Sequence, residues 1–185
     1  MTEKLNAIKA QIDALMEQKE RVLVAIDGQC TSGKTTLAAK LAEIYDCNVF
    51  HMDDFFLRPE QRTPERFAET GGNVDYVRFA QEVLLPLKTG CPFSYSPFDC
   101  GTFALTDPVA VTPKGLNIIE GTYSFHPYFG DPYDLKILLK VAPEVQRERI
   151  LQRPAFLHQR FFDQWIPMEN RYFAQPGLQA DIVLE

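Results

Sequence analysis

The 185 residues suit one domain with a sizeable core, and 45% apolar with 24% charged residues is ordinary for a globular protein. With 25 acidic against 19 basic residues the net charge is −6, so no basic surplus exists to meet nucleic-acid or membrane-surface phosphates. A secretory leader pattern and any apolar run near roughly 18 residues are missing, which makes a cytoplasmic protein the default expectation.

In chain order, residues 1–20 read as an amphipathic helix. Leu5, Ile8, Ile12, Leu15 and Met16 recur at helical spacing, Thr2 is placed to cap it, and the stripe is expected to pack on the domain itself. Strand-like runs follow at 22–26, 48–52, 116–119, 135–141 and 182–184, with helical stretches at 34–45, 75–87, 143–152 and 162–173. Apolar strands alternating with helices predict an α/β fold of three layers, a parallel sheet covered by helices on both faces. The four cysteines (Cys30, Cys47, Cys91, Cys100) lack C-x-x-C spacing and read as reduced, mostly buried thiols.

Between the first strand and the second helix lies Gly28-Gln29-Cys30-Thr31-Ser32-Gly33-Lys34-Thr35-Thr36. This Gly-x-x-x-x-Gly-Lys-Thr pattern predicts a phosphate loop whose backbone N–H groups wrap a polyphosphate. Lys34 reaches the β/γ-phosphates, and the Thr35 hydroxyl sits on Mg²⁺. The following helix adds its positive dipole end to the anion site. ATP or GTP is the expected ligand.

Three strands end on acids, at Asp27-Gly28, Asp53-Asp54 and Glu120-Gly121. In a parallel sheet those ends share one edge, where ligands gather. Asp53 or Asp54 beside the loop can hold Mg²⁺ or take a proton from an attacking hydroxyl, as phosphoryl transfer to an alcohol requires. The plainer reading is a turn or helix cap. Glu120 can order water around Mg²⁺ or simply bond neighbouring N–H groups, while His51 reads as a structural strand residue. Residues 141–173 carry Arg147, Arg149, Arg153 and Arg160. Arg149 and Arg153, four apart on one helix face, can be delivered to phosphoryl oxygens by a lid at 150–163, or can decorate a solvated helix. His158 and Trp165 read as packing or surface residues.

These motifs together resemble the uridine kinase/phosphoribulokinase family of P-loop kinases, and especially its uridine kinase-like proteins. The match runs through Ile26-Asp-Gly-Gln-Cys-Thr-Ser-Gly-Lys-Thr-Thr36, Met52-Asp-Asp-Phe-Phe56, Gly72-Asn-Val-Asp-Tyr76 and Ile119-Glu-Gly-Thr-Tyr123. It continues through the Arg149/Arg153 helix, Trp165-Ile-Pro-Met-Glu169 and Ala180-Asp-Ile-Val183. The resemblance implies an NMP-kinase-like P-loop fold with a small β-hairpin insert and a helical lid. It implies transfer of the γ-phosphoryl of ATP, with Mg²⁺, to a hydroxyl of a small molecule, a nucleoside such as uridine or cytidine being favoured. It assigns the base to Asp53, the metal surroundings to Thr35, Asp53 and Glu120, and phosphate contacts to Arg149 and Arg153. Asp75 falls at the position that contacts a substrate ribose. Tyr95, Phe98 and Asp99, in the hairpin at 91–114, fall on the acceptor side. Two departures bear on the acceptor: no base-recognising histidine has a counterpart at Phe98-Asp-Cys-Gly-Thr102, and the lid shows Arg153-Pro154 in place of Arg-Asp.

Other readings stay open at the level of sequence. A nucleoside monophosphate kinase would use extra arginines, for which Arg58, Arg62 and Arg66 are candidates. Pantothenate-like or sugar-phosphate acceptors, a nonenzymatic nucleotide-binding regulator and a homo-oligomer are also compatible. A GTPase switch is not, because neither Asn-Lys-x-Asp nor the Asp-x-x-Gly after the second acidic strand occurs.

Overall fold

The computed structural model describes residues 2–185 and, at position 2, the backbone alone, so the capping role expected of the Thr2 side chain lies outside what is described. The chain opens with α1 (Thr2–Gln18), β1 (Val22–Gly28), α2 (Lys34–Ala42) and β2 (Cys47–His51). Short turns at Met52–Phe55 and Pro59–Gln61 lead to α3 (Pro64–Ala68), then α4 (Tyr76–Phe79) and α5 (Leu85–Thr89), joined by a π-turn at Ala80–Leu84. Four short strands follow, β3 (Phe93–Tyr95), β4 (Phe98–Asp99), β5 (Ala104–Leu105) and β6 (Val109–Val111). After β7 (Leu116–Glu120) and β8 (Leu135–Leu139) come α6 (Pro143–Leu151), α7 (Ala155–Arg160), a π-turn at Phe161–Trp165, α8 (Ile166–Phe173) and β9 (Ile182–Leu184).

The main sheet has the order β2-β7-β1-β8-β9, and every pairing in it is parallel. Its residues alternate between two cores, as the period of a strand demands. Val22, Val24 and Ile26 of β1, with Leu116 and Ile118 of β7, pack against Ile8 and Ile12 of α1 and Ala38 and Leu41 of α2. Phe50 of β2 and Ile119 of β7 face the other way, onto Phe55, Phe79, Val83, Tyr123 and Tyr172. The predicted three-layer α/β architecture is therefore present, and the stripe of α1 packs on the sheet. No described helix is long and apolar enough to cross a membrane.

This order positions the site. After β1 the chain runs through α2 to the edge strand β2, whereas β7 and β8 later flank β1 on opposite sides. The carboxyl end of β1 thus lies at a point where connections diverge, the usual place for a ligand crevice. Parallel register sets Glu120 beside both Ile26 and His51.

Several boundaries differ from expectation. Met52 leaves the strand to begin a 3-10 turn, and α2 stops at Ala42. The helical stretches at 76–89 and 155–173 each contain a π-turn directly before a proline-bearing segment, at Pro86 and Pro167. A proline has no N–H for the i−4 carbonyl and clashes with it, and widening the preceding turn relieves both problems. Region 91–114 is two nested antiparallel pairs, β3 with β6 and β4 with β5. The cysteines are not mostly buried: Cys91 and Cys100 are exposed, and Cys30 and Cys47 are half-buried, because all four sit on loops or the sheet edge.

Candidate functional site

The phosphate loop leaves β1 through Gly28, whose φ is +151° and where a Cβ would stand 2.1 Å from the Leu139 carbonyl oxygen. Only glycine fits there. Thr31 holds a positive φ of 63° in the same loop, a strained conformation for a β-branched residue. Lys34 donates from Nζ to the carbonyls of Gly28 and Gln29, each at 2.9 Å. The side-chain oxygens of Gln29, Thr31 and Ser32 are buried without hydrogen-bond partners. The loop borders a cavity of about 1420 Å³ that is also lined by Thr35, Thr36, Asp53, Glu120, Arg149 and Arg153.

The structure brings the predicted acids to this cavity. Asp53 follows β2 in the Met52–Phe55 turn, and its surface opens onto the cavity. Protein crowds it from behind, and that desolvation, countered by Lys34 and reinforced by Glu120, raises its pKa above the usual carboxylate range. Glu120 is buried at the end of β7, where Oε1 accepts from Thr35 Oγ1 at 3.0 Å and lies 2.5 Å from His51 Nδ1. His51 is therefore a partner of the site. The hydrogen bond to Glu120 raises its pKa against the opposing effect of burial. Asp54 turns to Tyr95, whose hydroxyl lies 3.4 Å from Oδ2.

Two acids carry more of the site than sequence reasoning assigned them. Asp27 is fully buried and accepts from the N–H groups of Gly28 (2.6 Å), Tyr123 (3.2 Å) and Phe125 (2.9 Å) and from the Tyr172 hydroxyl (2.6 Å). Desolvation outweighs these donors and pushes its pKa up to about 6. Glu169 of α8 is buried and accepts the Cys30 N–H at 2.9 Å. Gln146 of α6 donates to the Cys30 carbonyl at 3.3 Å, and Arg149 to the Thr31 carbonyl at 2.8 Å. Helices α6 and α8 thus grip the front of the loop. Burial, then the Glu169 charge, pushes the Cys30 thiol up to about 12, which keeps it protonated. Only the position of Glu169 within Trp165-Ile-Pro-Met-Glu169 pointed to it in sequence.

Other candidates lie elsewhere. Asp75 is buried as the cap of α4, bonded to the Arg78 N–H at 3.1 Å and Gln61 Nε2 at 2.8 Å, and does not line the cavity. Tyr95 packs on Phe55 and Phe50, and Phe98 sits under Arg62, both outside the cavity wall. Asp99 caps its own turn at Gly101 and Thr102. Trp165 does line the cavity, nearly parallel to Phe56 at 6.5 Å between centroids.

The residues present suit a polyphosphate with a hard divalent cation. The unpartnered hydroxyls of Thr31 and Ser32, a backbone that admits no Cβ at Gly28 and a lysine at the loop fit the first. Thr35, Glu120 and Asp53 offer oxygen ligands for the second. Among the described residues no group of three or more His, Cys, Asp or Glu side chains stands where it could hold a metal ion.

No protein-family model matches the chain. A curated Schizosaccharomyces pombe protein named "Putative uridine kinase" is 32% identical over 166 residues, spanning 75% of this chain and 68% of that protein. The solved structure titled "Structure of a Possible Uridine Kinase from Bacillus stearothermophilus" superposes with a TM-score of 0.71 at 22% identity, covering 97% of this chain and all of that one. The structure of the YGR205w protein gives a TM-score of 0.67 at 15% identity over 92% of this chain and 85% of its own. Both share the fold.

Proposed function

The chain belongs to the uridine kinase-like P-loop kinases, and from that premise we propose that it transfers the γ-phosphoryl group of ATP to a hydroxyl of a nucleoside-type acceptor. The observation that carries this reading is Asp53, a carboxylate that opens onto the same cavity as the phosphate loop. Binding of a nucleotide alone asks for no such group. In the proposed reaction Asp53 takes the acceptor's hydroxyl proton as that oxygen bonds to the γ-phosphorus. The bond from the γ-phosphorus to the β–γ bridging oxygen breaks, and ADP leaves.

Lys34 and the loop N–H groups would hold the β/γ-phosphates, and Thr35, Glu120 and Asp53 would hold Mg²⁺, which neutralises phosphate charge when bound. Buried against Thr35 and His51, Glu120 cannot swing away from that position. Arg149, on α6, and Arg153, in the proposed lid, line the cavity, where their guanidinium groups would balance the transferring charge.

A neutral acceptor is favoured over a nucleoside monophosphate by the arginines. Arg62 donates to the Leu57 carbonyl and covers the Phe98 and Phe103 rings, and Arg66 is held by Glu69, the Val74 carbonyl and the Tyr76 ring. Arg58 pairs with Glu60 and Gln61. None of the three lines the cavity. The name of the Schizosaccharomyces pombe relative supports uridine within the nucleoside class.

The test is a screen for ADP release with uridine, cytidine, other nucleosides, pantothenate, sugar phosphates and nucleoside monophosphates. Turnover is expected with a nucleoside, and turnover only with monophosphates would overturn the reading. Asp53→Asn should lower turnover by about 10²-fold or more while sparing ATP binding. Parental turnover in that variant would remove Asp53 from the base role.

A further inference from the structure

Glu169 stands where a phosphate-binding loop has no evident use for a negative charge. It is 4% exposed on α8, and its carboxylate takes the Cys30 N–H at 2.9 Å. Lys34, the loop's own cation, meanwhile bonds the Gly28 and Gln29 carbonyls. Tyr123, which lines the same cavity as Glu169, is 2% exposed, with a positive φ of 77° and a buried hydroxyl that has no partner. The strained backbone and unpaired hydroxyl mark this corner of the cavity as arranged for something other than packing.

A carboxylate on a loop N–H does what a phosphate oxygen does there: it supplies an anionic acceptor to a concavity of backbone donors. Taking this loop as the donor site, as the proposed function does, we propose that Glu169 is a positioning residue in competition with the donor's terminal phosphate. Its carboxylate holds the front of the loop when no terminal phosphate is present. A triphosphate brings further negative charge to that end of the loop and weakens the Glu169 contact, and a diphosphate does so much less. Since α8 continues the helical run that begins at Ala155, release of Glu169 is transmitted to the segment carrying Arg160 and Trp165. The loop then distinguishes tri- from diphosphate by charge, and the adjoining helices respond to the difference.

The test compares ATP and ADP affinities by calorimetry, without acceptor, in the parental protein and in Glu169→Gln. Glutamine keeps an acceptor for the Cys30 N–H and removes the charge. The preference for ATP over ADP should rise roughly tenfold, on the scale of one charge removed a few ångströms from another at a part-buried site. Trp165, the sole tryptophan of the chain, lines the cavity and reports the helix. Its fluorescence should change more with ATP than with ADP in the parental protein, and about equally in the variant. A residue that merely orders the loop would, when changed, weaken both nucleotides together. An ATP-to-ADP ratio altered by less than about twofold, with the Trp165 response unchanged, overturns this inference and leaves the kinase reading standing. Failure of the parental protein to bind either nucleotide overturns both. If Glu169→Gln does not fold, Glu169→Asp carries the test, because the shorter side chain withdraws from Cys30. It should move the ratio the same way by a smaller factor, and an unmoved ratio again overturns the inference.

Discussion

Asp27 carries a cost that its four hydrogen bonds do not cancel. Its folded pKa of about 6 exceeds the ordinary 3.8, so the folded chain binds more protons there than the unfolded one. Its stabilising contribution is therefore complete below about pH 4 and is lost as pH rises through about 6. The loss amounts to about 3 kcal/mol for a shift of about two units. Urea unfolding of the parental protein and Asp27→Asn should show the stability gap between them moving by about that amount, against the parental chain, from pH 4 to pH 7. A gap independent of pH would contradict this account. At Gly28, alanine would drive a Cβ to within 2.1 Å of a backbone oxygen in β8. Gly28→Ala should abolish nucleotide binding even where the chain still folds, measured by calorimetry. The need for glycine at 28 was legible from the motif, whereas three of the four donors around Asp27 were not, since Tyr123, Phe125 and Tyr172 are about a hundred or more residues away in the chain.

Among the elements, α1 shows how a local pattern fixes a tertiary role. Ile8 and Ile12 are fully buried against Val22, Val24 and Leu116, so the helix is part of the sheet's packing. Ile12→Ala should cost about 2–4 kcal/mol in urea unfolding through the lost contacts and the cavity left behind. A cost near zero would mean that α1 is peripheral. Helical stretches at 75–87 and 162–173 were legible in the sequence, but α7 at Ala155–Arg160 and the two π-turns were not. The π-turns depend on where each carbonyl goes when Pro86 or Pro167 withholds an N–H, which is a matter of backbone geometry. The family resemblance likewise placed Tyr95 and Phe98 on the acceptor side. Folded, Tyr95 joins the core against Phe50 and Phe55, and Phe98 lies beneath Arg62, contacts that depend on which elements the fold brings together.

For the whole molecule, the sheet order has a thermodynamic consequence. A nucleotide bound as proposed at the diverging point of β1 would contact segments from α2, the β2 turn, the end of β7 and α6, so binding should tie the layers together. Saturating ATP at about a hundred times its Kd should stabilise the fold by about 2.7 kcal/mol, a rise in Tm of about 5–10 °C. Lys34→Ala should remove most of that rise in a thermal-shift measurement. An equal shift in the variant would place the nucleotide elsewhere.

Sequence by itself determined the phosphate loop, the alternation of strands and helices, and the acids at the ends of the first, second and third parallel strands. Each of these rests on local backbone demands or on the strict periods of strand and helix. Tertiary structure alone decided that Glu120 is pinned between Thr35 and His51, that Asp75 caps α4, that Arg58, Arg62 and Arg66 are committed to contacts within the protein, and that Glu169 reaches Cys30. The physical reason is that a side chain's partners depend on which elements the sheet order brings side by side, and 139 residues separate Glu169 from the loop it holds.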